Sequence, residues 1–135
     1  MICAVIDTNV LVSALLARHP ASNPVRVVEA VLDGRVLALH APDIIEEYRD
    51  VLSRPEFSFN PALVDAVIGG FLENGREIPP AFSGEPFPDP TDKVFYCVAL
   101  GAREDGAKLV TGNKRHYPAA AFVVSPAEFC DLAGL

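Results

Sequence analysis

The chain opens on an apolar run, Ile2 to Ile6, that stops at Asp7 and gives way at once to a helical spacing of apolar positions. A short continuous apolar run suits a strand buried on both faces. Thr8 or Asp7 can cap the helix that follows, which the spacing predicts over Asn9 to about Arg18. Pro20 and Pro24 bracket a break, after which Val25, Val28, Val31 and Leu32 recur at helical spacing until Gly34 stops them. Val36 to Leu39 reads as a second strand. Pro42 begins a third helix that runs to about Ser53, with Pro55 beyond its end. Between Asn60 and Gly75, the residues Leu63, Val64, Val67, Ile68, Phe71 and Leu72 give a fourth, amphipathic helix. From Arg76 to Pro90 the prolines break any period, so this stretch is a connecting loop with one short strand expected near Glu77 and Ile78. Thr91 to Ala102 is an apolar helix, Ala107 to Thr111 and Phe122 to Val124 are strands, and Ser125-Pro126 caps a last short helix.

Strands alternate with helices from start to finish, which implies an α/β fold: a central parallel sheet of four to five strands, covered on both sides, with right-handed crossovers. At 135 residues the chain is one domain long, residues 1–135, and has no internal repeat or linker. Half of it is hydrophobic and 21% is charged, a globular composition. Cys3, Cys97 and Cys130 fall within apolar patterns and have no paired spacing, so buried thiols are expected rather than a disulfide framework or a zinc site. Asp7 interrupts the first apolar run and no Lys or Arg precedes it, which argues against a secretory signal; a cytoplasmic protein without a membrane span is expected. The net charge of -7 argues against broad adhesion to nucleic acid, leaves room for a local basic patch or a bound cation, and makes a basic protein segment a plausible partner.

The candidate chemistry lies in acids at element ends. Asp7 is either a helix cap or a metal-ligating carboxylate at a strand's carboxyl end, the edge where open α/β sheets bind ligands. Glu46 and Glu47 are adjacent but lie about 100° apart on a helix. Glu47 shares a flank with Ile44 and Val51, whereas Glu46 lies with Arg49, Asp50 and Ser53 on the solvent side. Asp89-Pro-Thr-Asp92 reads as a cap, a first-turn proline and a first-turn acid, yet Asp92 also precedes Phe95, Tyr96 and Ala99 on one apolar side. Leu109 to Asn113 repeats the opening arrangement, a buried strand followed at once by the polar Thr111 and Asn113; as a bland alternative, Gly112-Asn113 is a good turn.

Asp7, Glu47 and Asp92 on separate elements, joined by Asn113, form a more specific constellation than any one of them. Converging carboxylates raise one another's pKa unless a cation compensates, and an all-oxygen set suits Mg²⁺ or Mn²⁺ rather than zinc. Such an ion lowers the pKa of water and offsets charge developing at phosphorus.

These residues resemble the PIN-domain family of metal-dependent nucleases, which includes the toxin ribonucleases of bacterial and archaeal toxin-antitoxin pairs. The resemblance covers nearly the whole chain. It rests on VIDTNVLVSALL, PDIIEEYRDVLSRPEF, DPTDKVFYCVAL and KLVTGNKRHYP in that order. It implies a three-layer α/β/α sandwich, commonly dimeric, held inactive by a cognate antitoxin whose segment crosses the active-site cleft. Matched residue by residue, Asp7, Glu47 and Asp92 are the metal-holding acids, and Thr111 and Asn113 are the polar pair after the late strand. Many members carry Asp where this chain has Asn113, a departure that removes one negative charge and that Asp89 can offset in part. Asn9 and Ser13 accompany Asp7 as supporting residues. The turn Lys114, Arg115 and His116 is either an RNA-backbone contact or a solvated loop. Tyr96 and Tyr117 are read first as packing residues, and only then as base-stacking ones.

The expected function is therefore an Mg²⁺- or Mn²⁺-dependent endoribonuclease, the toxin of a toxin-antitoxin pair. Two alternatives stay open: a PIN-fold binding module that has lost activity, suggested by Asn113, and a receiver-like phosphotransfer domain, loosely imitated by Thr111 and Lys114. Against the receiver, the second strand ends in His40-Ala41 and lacks an acid.

Overall fold

A computed structural model describes residues 1–135. Five strands make one all-parallel sheet: β1 (Cys3–Ile6), β2 (Leu37–His40), β3 (Gly75–Glu77), β4 (Lys108–Val110) and β5 (Val123–Val124), in the spatial order β3-β2-β1-β4-β5. The helices are α1 (Thr8–Leu16), α2 (Asn23–Leu32), α3 (Pro42–Leu52), α4 (Pro61–Glu73), α5 (Lys93–Gly101) and α6 (Pro126–Ala133). This is the expected α/β/α architecture, at the upper of the two strand numbers.

The first three strands add in one direction from β1, and the chain then reverses to place β4 on the other side of it. Because crossovers are right-handed, that reversal sends α5 to the opposite face from the preceding helices. There it packs on β1, β2 and β4, while α2 packs among α1, α4 and α6. β1 is central and all four of its residues are buried, which is why its sequence is a continuous apolar run. Its register pairs Ala4 with both Ala38 of β2 and Lys108 of β4. One continuous core of 34 buried residues spans both faces, including Ile6, Tyr48, Phe71, Phe95 and Phe129. The hydroxyl of Tyr48, on α3, donates to the carbonyl of Ile6, tying that helix to the end of β1.

The element boundaries follow local chemistry. Proline occupies the first turns of α2, α3, α4 and α6, where a missing N–H costs no helical hydrogen bond. Ser125 and Glu128 close a reciprocal capping box on α6. Most boundaries fall within one or two residues of the sequence reading, and two of the differences have a local cause. Thr91 and Asp92 lie in a tight 3-10 turn, Pro90–Asp92, that Asp89 caps through the Thr91 amide at 3.0 Å, and the α-helical part begins only at Lys93. The third strand ends at Glu77 and begins at Gly75, where a side chain would collide with the Phe71 and Ala38 carbonyls. All three cysteines are buried and unpaired. No helix is long and apolar enough to cross a membrane.

Candidate active site

The strand order reverses between β1 and β4, and in open α/β sheets the crevice outside the carboxyl ends at such a reversal is where ligands bind. Asp7 immediately follows β1 and Thr111 immediately follows β4, so both stand at that point. The order also departs from the 2-1-3-4-5 arrangement of flavodoxin-like folds, which removes the receiver-like alternative.

Asp7 is 5% exposed. It occupies the cap position of α1 but makes no capping hydrogen bond. Instead, Asp7 Oδ2 accepts from Thr111 Oγ1 at 2.8 Å and from the Tyr117 hydroxyl at 2.9 Å, with Asn9 Nδ2 at 3.4 Å. Burial pushes its carboxyl above the ordinary range, opposed by the hydrogen bonds from Thr111 and Tyr117 and by the nearby amides of Thr8 and Asn9. Tyr117 is itself driven far above the ordinary tyrosine range by burial and by the Asp7 carboxylate, so its phenol remains a donor.

Asn9 cross-links the two strand ends. It accepts from the Gly112 amide at 3.0 Å and stands 3.4 Å from Thr111 Oγ1, which in turn accepts from the Asn113 amide at 3.1 Å. Thr111 is fully buried. These polar groups form a frame around one carboxylate, and Asp7 is thereby fixed in orientation before any ligand arrives.

Glu47 is half-buried on α3, whereas Glu46 is exposed, as their helical phases require. The Glu47 carboxyl is raised by burial and then by Asp50, with Asp7 and Asp89 adding and Arg54 opposing. Asp92 is pushed up to about 6, first by burial and then by Asp7 and Asp89, with Glu47 adding and His116 opposing. Its Oδ2 is buried and has no hydrogen-bond partner; His116 Nδ1, 3.6 Å away, is too distant to be one. Asp7, Glu47, Asp89 and Asp92 thus share one field.

Buried carboxylates that repel one another, one with an orphaned oxygen, are the donor chemistry of a hard divalent cation. No three of the acids stand close enough together to share one ion as placed. Asp92, whose Oδ2 has no partner, is the acid whose chemistry fits a cation, with the charges of Asp7 and Glu47 acting on it.

The remaining candidates separate. Asp89 is exposed and its carboxylate is taken up by the Thr91 amide and hydroxyl, which hold its carboxyl below the ordinary range. Asn113 Nδ2 lies 3.0 Å from His116 Nε2, so its amide faces the imidazole rather than Asp7. Ser13 is exposed on α1. Lys114, Arg115 and His116 form a single 3-10 turn but do not act as one cluster: Lys114 pairs with Glu128 at 2.9 Å, and His116 turns toward Asp92. Tyr96 is core, packed between Phe87 and Phe122.

Sequence reasoning missed the role of Tyr117. Nothing in periodicity marks a tyrosine seven positions after a strand as the partner of an acid six positions after the amino terminus; only the turn at 114–116 brings them together.

A family model for the PIN domain matches residues 3–115. The chain belongs to the PIN-domain family. PIN domains are generally nucleases. The match spans Asp7, Glu47, Asp92, Thr111 and Asn113 and ends before His116 and Tyr117. No curated protein and no solved structure matches the chain significantly.

Proposed function

We propose that this PIN domain is an endoribonuclease that uses Mg²⁺ or Mn²⁺ and serves as the toxin of a toxin-antitoxin pair, with a cognate antitoxin and a homodimeric assembly. One observation carries the reading: the Oδ2 of Asp92 is buried without a partner where Asp7, Asp89 and Glu47 raise its carboxyl, near the strand-order reversal of a PIN fold. A divalent cation bound there lowers the pKa of water and offsets the charge that develops at phosphorus.

The chain's own residues do the positioning. Thr111, Tyr117 and Asn9 fix the Asp7 carboxylate; Asp92 offers an oxygen with no competing donor; Glu47 closes the cleft from α3. Asn113 and His116 line the approach to Asp92 and can donate hydrogen bonds to a phosphate oxygen. The reaction is cleavage of an RNA phosphodiester by water.

The test is an RNA cleavage assay with Mn²⁺, Mg²⁺ or EDTA, comparing the native chain with Asp7→Asn. Cleavage that needs the metal and vanishes in the variant supports the proposal. A neighbouring reading frame that encodes a small DNA-binding protein with a basic tail supports the toxin-antitoxin part.

A second reading, a PIN-fold binding module without activity, is favoured by Asn113, whose neutral amide faces His116 instead of the acids. No cleavage under any metal condition, after removal of any co-purified partner, selects it.

A further inference from the structure

Three of the hollows on the surface differ in charge. One is walled by Asp43, Glu46, Glu47 and Asp50 with Pro90 and Thr91, and a second holds Glu46 and Glu77 beside His40 and Arg49. The third, about 340 Å³, is lined by Lys114, Arg115, Tyr117, Pro118, Ala119, Ala120 and Val123. It is the one of the three that combines two cations with apolar walls, and its volume lies in the range of small-molecule sites.

Tyr117 joins this hollow to the acids. It forms part of the wall, and its hydroxyl donates to Asp7 Oδ2 at 2.9 Å. A molecule seated there is therefore one side chain away from the carboxylate at the centre of the cleft. The wall is also held in place: Lys114 is tied to Glu128 of α6 at 2.9 Å, and β5, which carries Val123, pairs with β4. Arg115, by contrast, is exposed and makes no ion pair within the chain, on a protein whose net charge is -7. An uncommitted guanidinium beside an apolar slot matches the two halves of a nucleotide, since the guanidinium binds phosphate and the slot takes the base face.

We propose that this hollow is a nucleotide subsite, in which one unpaired RNA base lies against Pro118, Ala119, Ala120 and Val123 and Arg115 holds the adjoining phosphate. It rests on the nuclease reading in one respect only, that the strand leaving the subsite passes Asp7. Single-stranded RNA is the matching substrate class, because an unpaired base enters the slot without the cost of unpairing and unstacking. The subsite then sets base preference at one position next to the scissile bond.

The test has a binding arm and a cleavage arm. In EDTA, each of the four ribonucleoside 5′-monophosphates, and inorganic phosphate alone, is titrated into the native chain while backbone amide signals are followed by NMR. Saturable shifts at Ala119, Ala120 and Val123 are expected for at least one nucleotide. Arg115→Ala should weaken that binding about tenfold, the effect of losing one charge-assisted hydrogen bond, and Ala119→Phe, at an exposed rim position, should abolish it. In the cleavage arm, Mn²⁺ is present and all sixteen dinucleotide steps are offered; the native chain should prefer one base beside the cut, and Ala119→Phe should flatten that preference. Absence of shifts at these residues, equally tight binding of inorganic phosphate, or an unchanged cleavage preference in Ala119→Phe overturns the subsite. If the native chain cuts nothing while the nucleotide shifts persist and respond to both variants, the nuclease reading falls and the subsite stands.

Discussion

Replacing Tyr117 with Phe removes one hydroxyl from a buried pair and leaves the ring's packing intact. The lost group donates to Asp7 Oδ2 at 2.9 Å, and Asp7 is 5% exposed, so water cannot take its place without opening the site. A hydrogen bond to a charged group contributes about 1.5–3 kcal/mol, and the loss should sit at the upper part of that range when Asp7 is ionised. Asp7's carboxyl is raised by burial, against the hydrogen bonds from Thr111 and Tyr117. A carboxyl raised in the folded state opposes folding as pH climbs from the unfolded value, 3.8, through the folded one; below both, the group is neutral and its burial costs little. Deleting the Tyr117 donor raises the folded value further, so the variant's deficit is largest at neutral pH and shrinks on acidification. Urea unfolding of native chain and Tyr117→Phe at pH 7.5 and at pH 3.5 measures this. At pH 7.5 the variant should also melt roughly 3–6 °C lower per kcal/mol lost. A deficit equal at both pH values would refute the reasoning, because it would place the effect in packing rather than in the Asp7 charge. A variant as stable as the native chain at pH 7.5 would show that the hydroxyl does not hold Asp7 at all.

Asp92→Asn should abolish cleavage yet stabilise the fold by roughly 1 kcal/mol at pH 7.5, after allowance for solvent screening, because the native carboxyl titrates at about 6 instead of 3.8. The sign reverses the usual acid-stability pattern: the gain belongs to pH above about 6 and disappears by pH 4, which paired urea melts will show or disprove. Mn²⁺ or Mg²⁺ should raise the melting temperature and EDTA should reverse it, with the shift lost in Asp7→Asn; a metal response that survives that variant would move the ion elsewhere. Glu47→Gln should cut activity far more than Glu46→Gln, and equal losses would contradict the helical-phase assignment. Ser125→Ala breaks the α6 capping box and should cost about 1 kcal/mol of stability with no change in cleavage per folded molecule.

The layout was legible in the sequence wherever one element's period decided the outcome. β1 was readable because a strand buried on both faces is apolar without alternation, and Glu47 was separable from Glu46 because a helix assigns them different flanks. The placement of Thr111 beside Asp7 followed from parallel strands ending at one edge. What could not be read depends on turns. The 3-10 geometry at Pro90–Asp92 shifts the start of α5 to Lys93, and the turn at Lys114–His116 sends Lys114 to Glu128 and His116 to Asp92. Composition sees those three residues as one basic cluster; only the backbone shows that Lys114 is spent on Glu128.

The same turn explains how an acidic chain can present a site for an anionic polymer. Asp7 is shielded on one oxygen by three side-chain donors, so the cleft's repulsion falls mainly on Asp92 and Glu47. A phosphate approaching these carboxylates is repelled unless a cation intervenes, which makes substrate affinity and metal occupancy mutually dependent. Arg115 lines the hollow that Tyr117 also walls and pairs with none of the acids, so it can hold the strand without neutralising them. Separating the guanidinium from the carboxylates by one buried tyrosine keeps both charges available. A direct Arg115–Asp92 pair would have satisfied the orphaned oxygen and removed the reason for a cation to bind there.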